Sequence, residues 1–324
     1  MKIASSSYSR VGLRAVWTAM VWLGFLLTAR AQEPGEPLSL LHQLDRGFTA
    51  LFERVAPTVV VIEATREITE EDLDERSLEL LLRDEAESPD SKSAHPPFHH
   101  RSSRSEGSGF FVGQDGFVVT NLHVIDEADE LTVRTQDRRR FPAKVIGRDE
   151  QTDIAVLKVE IDAPAVAKFG DSDAVRIGQL VGAIGAPFNQ DYSFTCGWVS
   201  GTGRTNLLGP NSEKLLLEDY IQTDAFINPG NSGGPLFDVD GRVIGMNTLI
   251  NGLGRGLAFA IPSNLVRDVV DQLVATGKVR RSWLGIRMGA VEDSGAIEGH
   301  LPDIDHGVVV YTIVADSPAY QSEL

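Results

Sequence analysis

The run Asn228-Pro229-Gly230-Asn231-Ser232-Gly233-Gly234-Pro235-Leu236 sets one serine inside a glycine-rich turn and ends in a strand-like apolar stretch. A serine hydroxyl is a poor nucleophile at neutral pH and needs a neighbouring base to take its proton as it attacks. The oxyanion formed by that attack needs preset N–H donors. A glycine-rich turn provides them, because glycine alone adopts the required backbone angles freely. Gly230, Asn231 and Ser232 are the candidate donors, and Ser232 is the candidate nucleophile.

The partners of such a serine lie upstream. Thr120-Asn121-Leu122-His123-Val124-Ile125 carries a histidine at the end of an apolar run. Histidine titrates near neutrality and suits a group that takes a proton and returns it to the leaving amine. Asp153-Ile154-Ala155-Val156-Leu157-Lys158-Val159 places a carboxylate just before a strand. A carboxylate beside the ring fixes its tautomer and stabilises the imidazolium. Asp149 is the nearest rival for that role. Gly230-Asn231-Ser232-Gly233-Gly234 also matches the G-x-S-x-G elbow of a different hydrolase fold. There a helix follows the serine, and the order is serine, acid, histidine. Here Pro235 and an apolar run follow, and the order is His123, Asp153, Ser232.

Around these segments the chain reads as short strands. Gly109 to Val112 and Phe117 to Thr120 flank a Gln114-Asp115-Gly116 hairpin signal. Further strand-like runs cover 131–134, 143–147, 154–159, 180–184, 194–200, 215–222, 243–247 and 257–261. The frequent glycine turns predict an all-β sandwich or pair of barrels. Helical spacing predicts one amphipathic helix over 38–55 and another over 264–275, the latter with Ser263 as a candidate N-cap.

The chain has 324 residues, with a formal net charge of -16. That acidity argues against nucleic-acid binding and against docking on anionic lipid. Residues 1–31 read as a secretory signal peptide. Lys2, Arg10 and Arg14 precede an apolar run from Ala15 to Leu27, and Ala29-Arg30-Ala31 fits a cleavage site before Gln32. The run is shorter than the roughly 20 residues a membrane span needs. No stable membrane anchor is expected after cleavage. Residues 32–37 form a linker. The stretch 64–106 reads as a polar insertion loop, and Glu67 to Asp90 within it holds eleven acidic and two basic residues. His95, His99 and His100 lie in this insertion without a cysteine or carboxylate that completes a metal site. Cys196 is the only cysteine, so no internal disulfide forms. It is expected as a small buried hydrophobe in Phe194-Thr195-Cys196-Gly197-Trp198.

Together these segments resemble the HtrA/Deg family of serine proteases. The resemblance rests on Gly107-Ser108-Gly109-Phe110, Thr120-Asn121 before the histidine, Gln222-Thr223-Asp224, Asn228-Pro229 before the glycine turn, and Phe259-Ala260-Ile261-Pro262. It implies an all-β, trypsin-like protease domain over 38–277, with two antiparallel six-stranded β-barrels, an N-terminal helix and a C-terminal helix. It implies a homotrimer, no metal or cofactor, a periplasmic location, and ATP-independent cleavage of unfolded exported proteins. A chaperone or peptide-binding module on the same fold is the alternative. In trypsin-like folds the substrate pocket lies beside the glycine turn, which here points to Phe226, Ile227, Leu257, Ala258 and Phe259. The sequence departs from the family at Leu122, Trp198, Phe226 and Ala258. After a 278–282 linker, residues 283–324 resemble part of a PDZ domain. Trp283-Leu284-Gly285-Ile286 matches its carboxylate-accepting loop, and the chain stops about halfway through such a domain.

Overall fold

The computed structural model describes residues 36–68, 101–186, 192–205, 207, 218–248, 257–291 and 307–322. The expected signal peptide, the acidic stretch from 69 onward and His95, His99 and His100 lie outside them. Six strands close the first barrel. They are β1 (Val59–Ile68), β2 (Arg101–Phe111), β3 (Phe117–Asn121), β4 (Glu130–Arg134), β5 (Arg140–Asp149) and β6 (Ile154–Val159), in the ring order β1-β2-β3-β6-β5-β4. Val60, Ile62, Phe111, Val118, Val133, Ala155, Leu157 and Val159 fill its interior. The run Val59-Val60-Val61-Ile62 shows no polar alternation because both of its faces are covered. Val60 and Ile62 point into the barrel, while Val59 packs against the N-terminal helix.

The expected insertion loop over 64–106 is narrower. β1 and β2 remain paired from Val59↔Phe110 out to Ile68↔Arg101, so strand residues occupy both of its ends. Polar residues such as Arg66 and Ser103 continue the ladder there, because backbone pairing needs no apolar side chain. Glu63 is buried in β1, and three guanidiniums compensate it. Arg134 and Arg140 reach it at 3.3 and 3.2 Å, and Arg104 also pairs with it. Burial opposes ionisation of Glu63, but these arginines outweigh it and hold the carboxyl below its ordinary range.

The second barrel is a ring of β11 (Pro235–Phe237), β8 (Leu180–Gly185), β9 (Ser193–Arg204), β10 (Tyr220–Thr223), β13 (Ala258–Pro262) and β12 (Arg242–Thr248). Pairing of β11 with β12 closes the ring. The two-residue β7 (Lys168–Phe169), invisible in the sequence pattern, adds a parallel rung outside it on β12. Val181, Val199, Ile221, Leu236, Ile244 and Ala260 fill this interior. A third apolar cluster joins the barrels. It combines Phe110, Val119, Ile154 and Val156 from the first with Tyr220, Met246, Phe259 and Ile261 from the second. Onto it packs the helix α2 (Ser263–Thr276), through Val266, Val269, Val270 and Leu273.

Two expectations are corrected here. Ser263 does not cap its helix. It is the first helical residue, and its buried hydroxyl donates to the Gly170 carbonyl at 3.0 Å. The other end follows a common rule, with Gly277 at φ 71° donating its N–H to Leu273. Cys196 is exposed rather than buried. In β9 Gly197 and Val199 face inward, so Cys196 and Trp198 fall on the outer side. The N-terminal helix α1 (Glu36–Val55) docks through Leu51 and Val55 beside Phe237 and leaves Leu38, Leu40, Leu41 and Leu44 exposed.

Beyond the second helix, β14 (Ile286–Ala290) pairs with β15 (Val308–Ile313). Val308, Val310, Tyr311 and Ile313 of β15 are exposed. Just before this pair, Arg281 makes a two-pronged contact with the buried Asp149, at 2.6 Å on each oxygen. Burial opposes ionisation of Asp149, but Arg281 and the Thr152 hydroxyl outweigh it and depress its carboxyl. A depressed carboxylate contributes stability above its unfolded value, about pH 3.9, and loses it as pH falls further. Arg281→Gln is therefore expected to cost about 2 kcal/mol near neutrality. In acid titrations followed by circular dichroism, the gap between variant and parent should close below about pH 3.9. An equal gap at both extremes would show that the pair contributes nothing through charge.

Candidate active site

His123 belongs to the one-turn helix Leu122–Ile125, which begins directly after β3. Asp153 directly precedes β6, whose first residue Ile154 pairs with Asn121 at the end of β3, and this brings His123 and Asp153 side by side. His123 Nδ1 lies 2.7 Å from Asp153 Oδ2, and the His123 backbone N–H donates to Asp153 Oδ1 at 2.9 Å. With Nδ1–H committed to the carboxylate, Nε2 is the ring nitrogen left to accept a proton. Asp153 itself has φ 57°, in the left-handed region. Aspartate tolerates this better than most residues, yet some strain remains. Hydrogen bonds hold it there. Its carbonyl accepts from the Leu122 N–H at 3.0 Å and from Asn121 Nδ2 at 3.1 Å. From the second barrel, Thr248 Oγ1 donates to Asp153 Oδ2 at 3.4 Å. The rival carboxylate, Asp149, is engaged by Arg281 and Thr152 instead.

Ser232 follows a type II turn. The Asn231 N–H donates to the Asn228 carbonyl at 2.9 Å, and Gly230 has φ 101°. Pro229 and Gly230 occupy the two central positions such a turn prefers. This geometry corrects one expectation, since the Asn231 N–H is spent inside the turn and is not an oxyanion donor. The N–H groups of Gly230 and Ser232 make no hydrogen bond among the described residues. The Ser232 hydroxyl likewise makes none, and no hydrogen bond there joins it to His123. Apo sites often hold such pairs loosely before substrate closes them.

Backbone bonds join this turn to both barrels. Ser108 of β2 donates its N–H to the Ser232 carbonyl at 2.8 Å, and Gly233 donates to Asn247 at 2.8 Å. Thr120 Oγ1 donates to the Ser108 carbonyl at 2.7 Å. The approach is close enough that a Cβ on Gly233 would sit 2.1 Å from the Ser108 oxygen. The sequence motifs contained Ser108 and Thr120 but did not single them out, and Thr248 lay outside every motif. Ser108 stands between two glycines in a strand, the one signal that marked a close backbone approach.

The expected pocket residues divide. Phe226 and Leu257 are exposed, Ala258 is buried, and Ile227 packs partly against the second barrel's interior. Phe259 is not a lining side chain. It is buried edge-on to Tyr220 between the barrels, because strand alternation sends it to the face opposite Ala258. No acidic group was expected at a pocket base, and Phe226, Ile227, Leu257 and Ala258 are apolar.

Comparisons with known proteins agree with this fold. Residues 107–246 match the trypsin-like peptidase domain model. A probable periplasmic serine endoprotease DegP-like of Marinomonas sp. (strain MWYL1) is 42% identical over 290 residues, covering 86% of this chain and 60% of that relative. One of the same description from Pseudomonas savastanoi pv. phaseolicola (strain 1448A / Race 6) is 38% identical over 320 residues, covering 94% and 63%. The chain thus spans less than two thirds of the length of these curated relatives. The solved HtrA-type protease AlgW with decapeptide superposes with a TM-score of 0.64 at 33% identity, covering 84% of this chain and 81% of that one.

The close approach at Gly233 separates two glycines with similar backbone angles. Gly233→Ala meets both a φ of 82° and the Ser108 carbonyl, whereas Gly178→Ala meets a φ of 87° and open space. Gly178→Ala should cost about 1 kcal/mol and Gly233→Ala more than about 3 kcal/mol. Thermal denaturation of both reads the difference, and equal losses would mean that the seam yields easily.

Proposed function

Because the chain belongs to the HtrA-type, DegP-like family of trypsin-like serine proteases, we propose that it is an ATP-independent serine endopeptidase with His123, Asp153 and Ser232 as its catalytic residues. The observation that supports this most is the 2.7 Å contact of His123 Nδ1 with Asp153 Oδ2, which leaves Nε2 to serve Ser232. Substrate brings the Ser232 hydroxyl into hydrogen-bond reach of Nε2. The hydroxyl oxygen attacks the peptide carbonyl as His123 takes its proton. The oxyanion is held by the N–H groups of Gly230 and Ser232. His123 then protonates the leaving amine, and water hydrolyses the acyl-enzyme by the same steps in reverse. Asp153 orients the ring and offsets its positive charge.

Its substrates in this proposal are unfolded exported polypeptides in the periplasm, where its relatives' names place them. The leader-like segment 1–31 and the absence of internal disulfide bonding fit export of a chain that relies on its core. The exposed leucines of the N-terminal helix suit a homotrimer contact. Residues 283–324 act as part of a PDZ-like element. A chaperone role on the same fold would need neither the His123–Asp153 pair nor a serine in the glycine turn.

On unfolded casein, Ser232→Ala or His123→Ala should lower turnover by about 10^4-fold or more, with melting little changed. Asp153→Asn should be comparably severe, because the amide favours the wrong tautomer of the ring. Near-parental cleavage by Ser232→Ala would overturn the proposal.

Specificity follows from the apolar lining of Phe226, Ile227, Leu257 and Ala258. Mass-spectrometric mapping of casein fragments should find cuts mainly after small or medium aliphatic residues such as Val, Ala and Ile. Fragments ending mostly in Lys or Arg would contradict that pocket.

A further inference from the structure

Ser108 is fully buried in β2, and its polar atoms make a set of contacts that flank Ser232 on both sides. Its hydroxyl donates to the Gly230 carbonyl at 2.6 Å, two residues before Ser232. Its N–H donates to the carbonyl of Ser232 itself at 2.8 Å. The same hydroxyl accepts from the Ala186 N–H at 3.0 Å, at the end of β8. Its carbonyl accepts from Thr120 Oγ1, three residues before His123. A hydroxyl has one proton to give, and here it goes to the Gly230 oxygen.

The geometry points to Ser108 as a positioning residue, acting through the peptide groups on either side of the nucleophile. It touches neither substrate nor reacting atoms. Fixing the Gly230 carbonyl fixes the plane of the Gly230–Asn231 peptide, whose N–H already closes the type II turn. The Gly230 N–H lies on the other side of the Gly230 Cα, and its direction depends on the φ of 101° that this anchoring preserves. The N–H of Ser232 is constrained between the same two anchor points. Both unpaired donors are therefore aimed by one buried residue of the other barrel, through its hydroxyl on one side and its backbone N–H on the other. Oxyanion stabilisation depends on donor placement to a fraction of an ångström, so loss of the anchor acts on the tetrahedral state and little on ground-state binding. Removing the hydroxyl also leaves the Gly230 carbonyl and Ala186 N–H without this buried partner.

This assignment rests on the peptidase reading above. The test uses the full chain as Ser108→Ala and as the near-isosteric, weaker donor Ser108→Cys, with active sites counted by a peptidyl phosphonate. Turnover of a chromogenic aliphatic peptide per counted site should fall about 30-fold in Ser108→Ala and less in Ser108→Cys, with KM within about twofold. Affinity for a peptidyl boronic acid, which mimics the tetrahedral state, should fall by the same factor as kcat. If melting shows that the alanine variant does not fold, the cysteine variant decides alone. Turnover per site within about twofold of the parent in every folded variant would overturn the assignment. So would a fall in kcat with undiminished boronic acid affinity, which is what a purely structural role produces. A parent chain that cleaves no peptide, or cleaves equally well as Ser232→Ala, would sink the peptidase reading and this assignment together. An active, Ser232-dependent parent with unaffected Ser108 variants would sink the assignment alone.

Discussion

The backbone contact between Ser108 of the first barrel and Ser232 of the second is the constraint on which the rest of the site depends. It requires the two segments to approach until no Cβ fits at Gly233, and Thr120 of the same barrel holds the Ser108 carbonyl. A seam made of main-chain groups cannot be adjusted by changing rotamers. Its position is set by the barrels themselves and by the apolar cluster between them, where Phe110 and Val119 meet Met246 and Phe259. Close packing of that cluster transmits the fit, because a packed interior has little free volume to absorb a misplacement.

The proposed catalytic residues hang on this seam in different ways. His123 and Asp153 are neighbours through strand pairing within one barrel, and their contact needs nothing from the other. Thr248 then adds a hydrogen bond to Asp153 from across the cleft. Ser232 comes from a loop of the second barrel whose conformation is local, a type II turn with proline and glycine at its centre. Its place against the first barrel is global, set by the Ser108 N–H on its carbonyl. The left-handed backbone at Asp153 belongs to the same picture. The strain is held by the Leu122 N–H and the Asn121 amide, which converge on its carbonyl.

Charge is distributed with equal economy. Glu63 and Asp149 are buried carboxylates, and each is met by arginine from another part of the chain. Asp149 lies four residues before Asp153, close enough in sequence to be its rival. What separates them is the partner. Asp149 is met by a fixed guanidinium and a threonine, whereas Asp153 faces an imidazole that is nearly half exposed. A carboxylate locked to a permanent cation cannot serve a group that must gain and lose a proton.

The sequence by itself determined the strand texture, the order His123, Asp153, Ser232 and the presence of a glycine-rich turn at Gly230-Asn231-Ser232, because alternation and turn chemistry are local properties. It determined β6 to the residue, and the second helix to within one or two. Only the tertiary structure decided which face a residue occupies once both neighbours are apolar. Phe259 went to the inter-barrel core and Cys196 to the surface, since barrel closure and not composition sets inside from outside. It also decided that the Asn231 N–H is spent within its turn and that Ser263 donates across to Gly170. Above all it decided the place of Ser108. A hydrogen bond between residues 122 positions apart leaves no periodic trace in the chain, because its energy arises only where two barrels, folded separately in sequence, bring their backbones together.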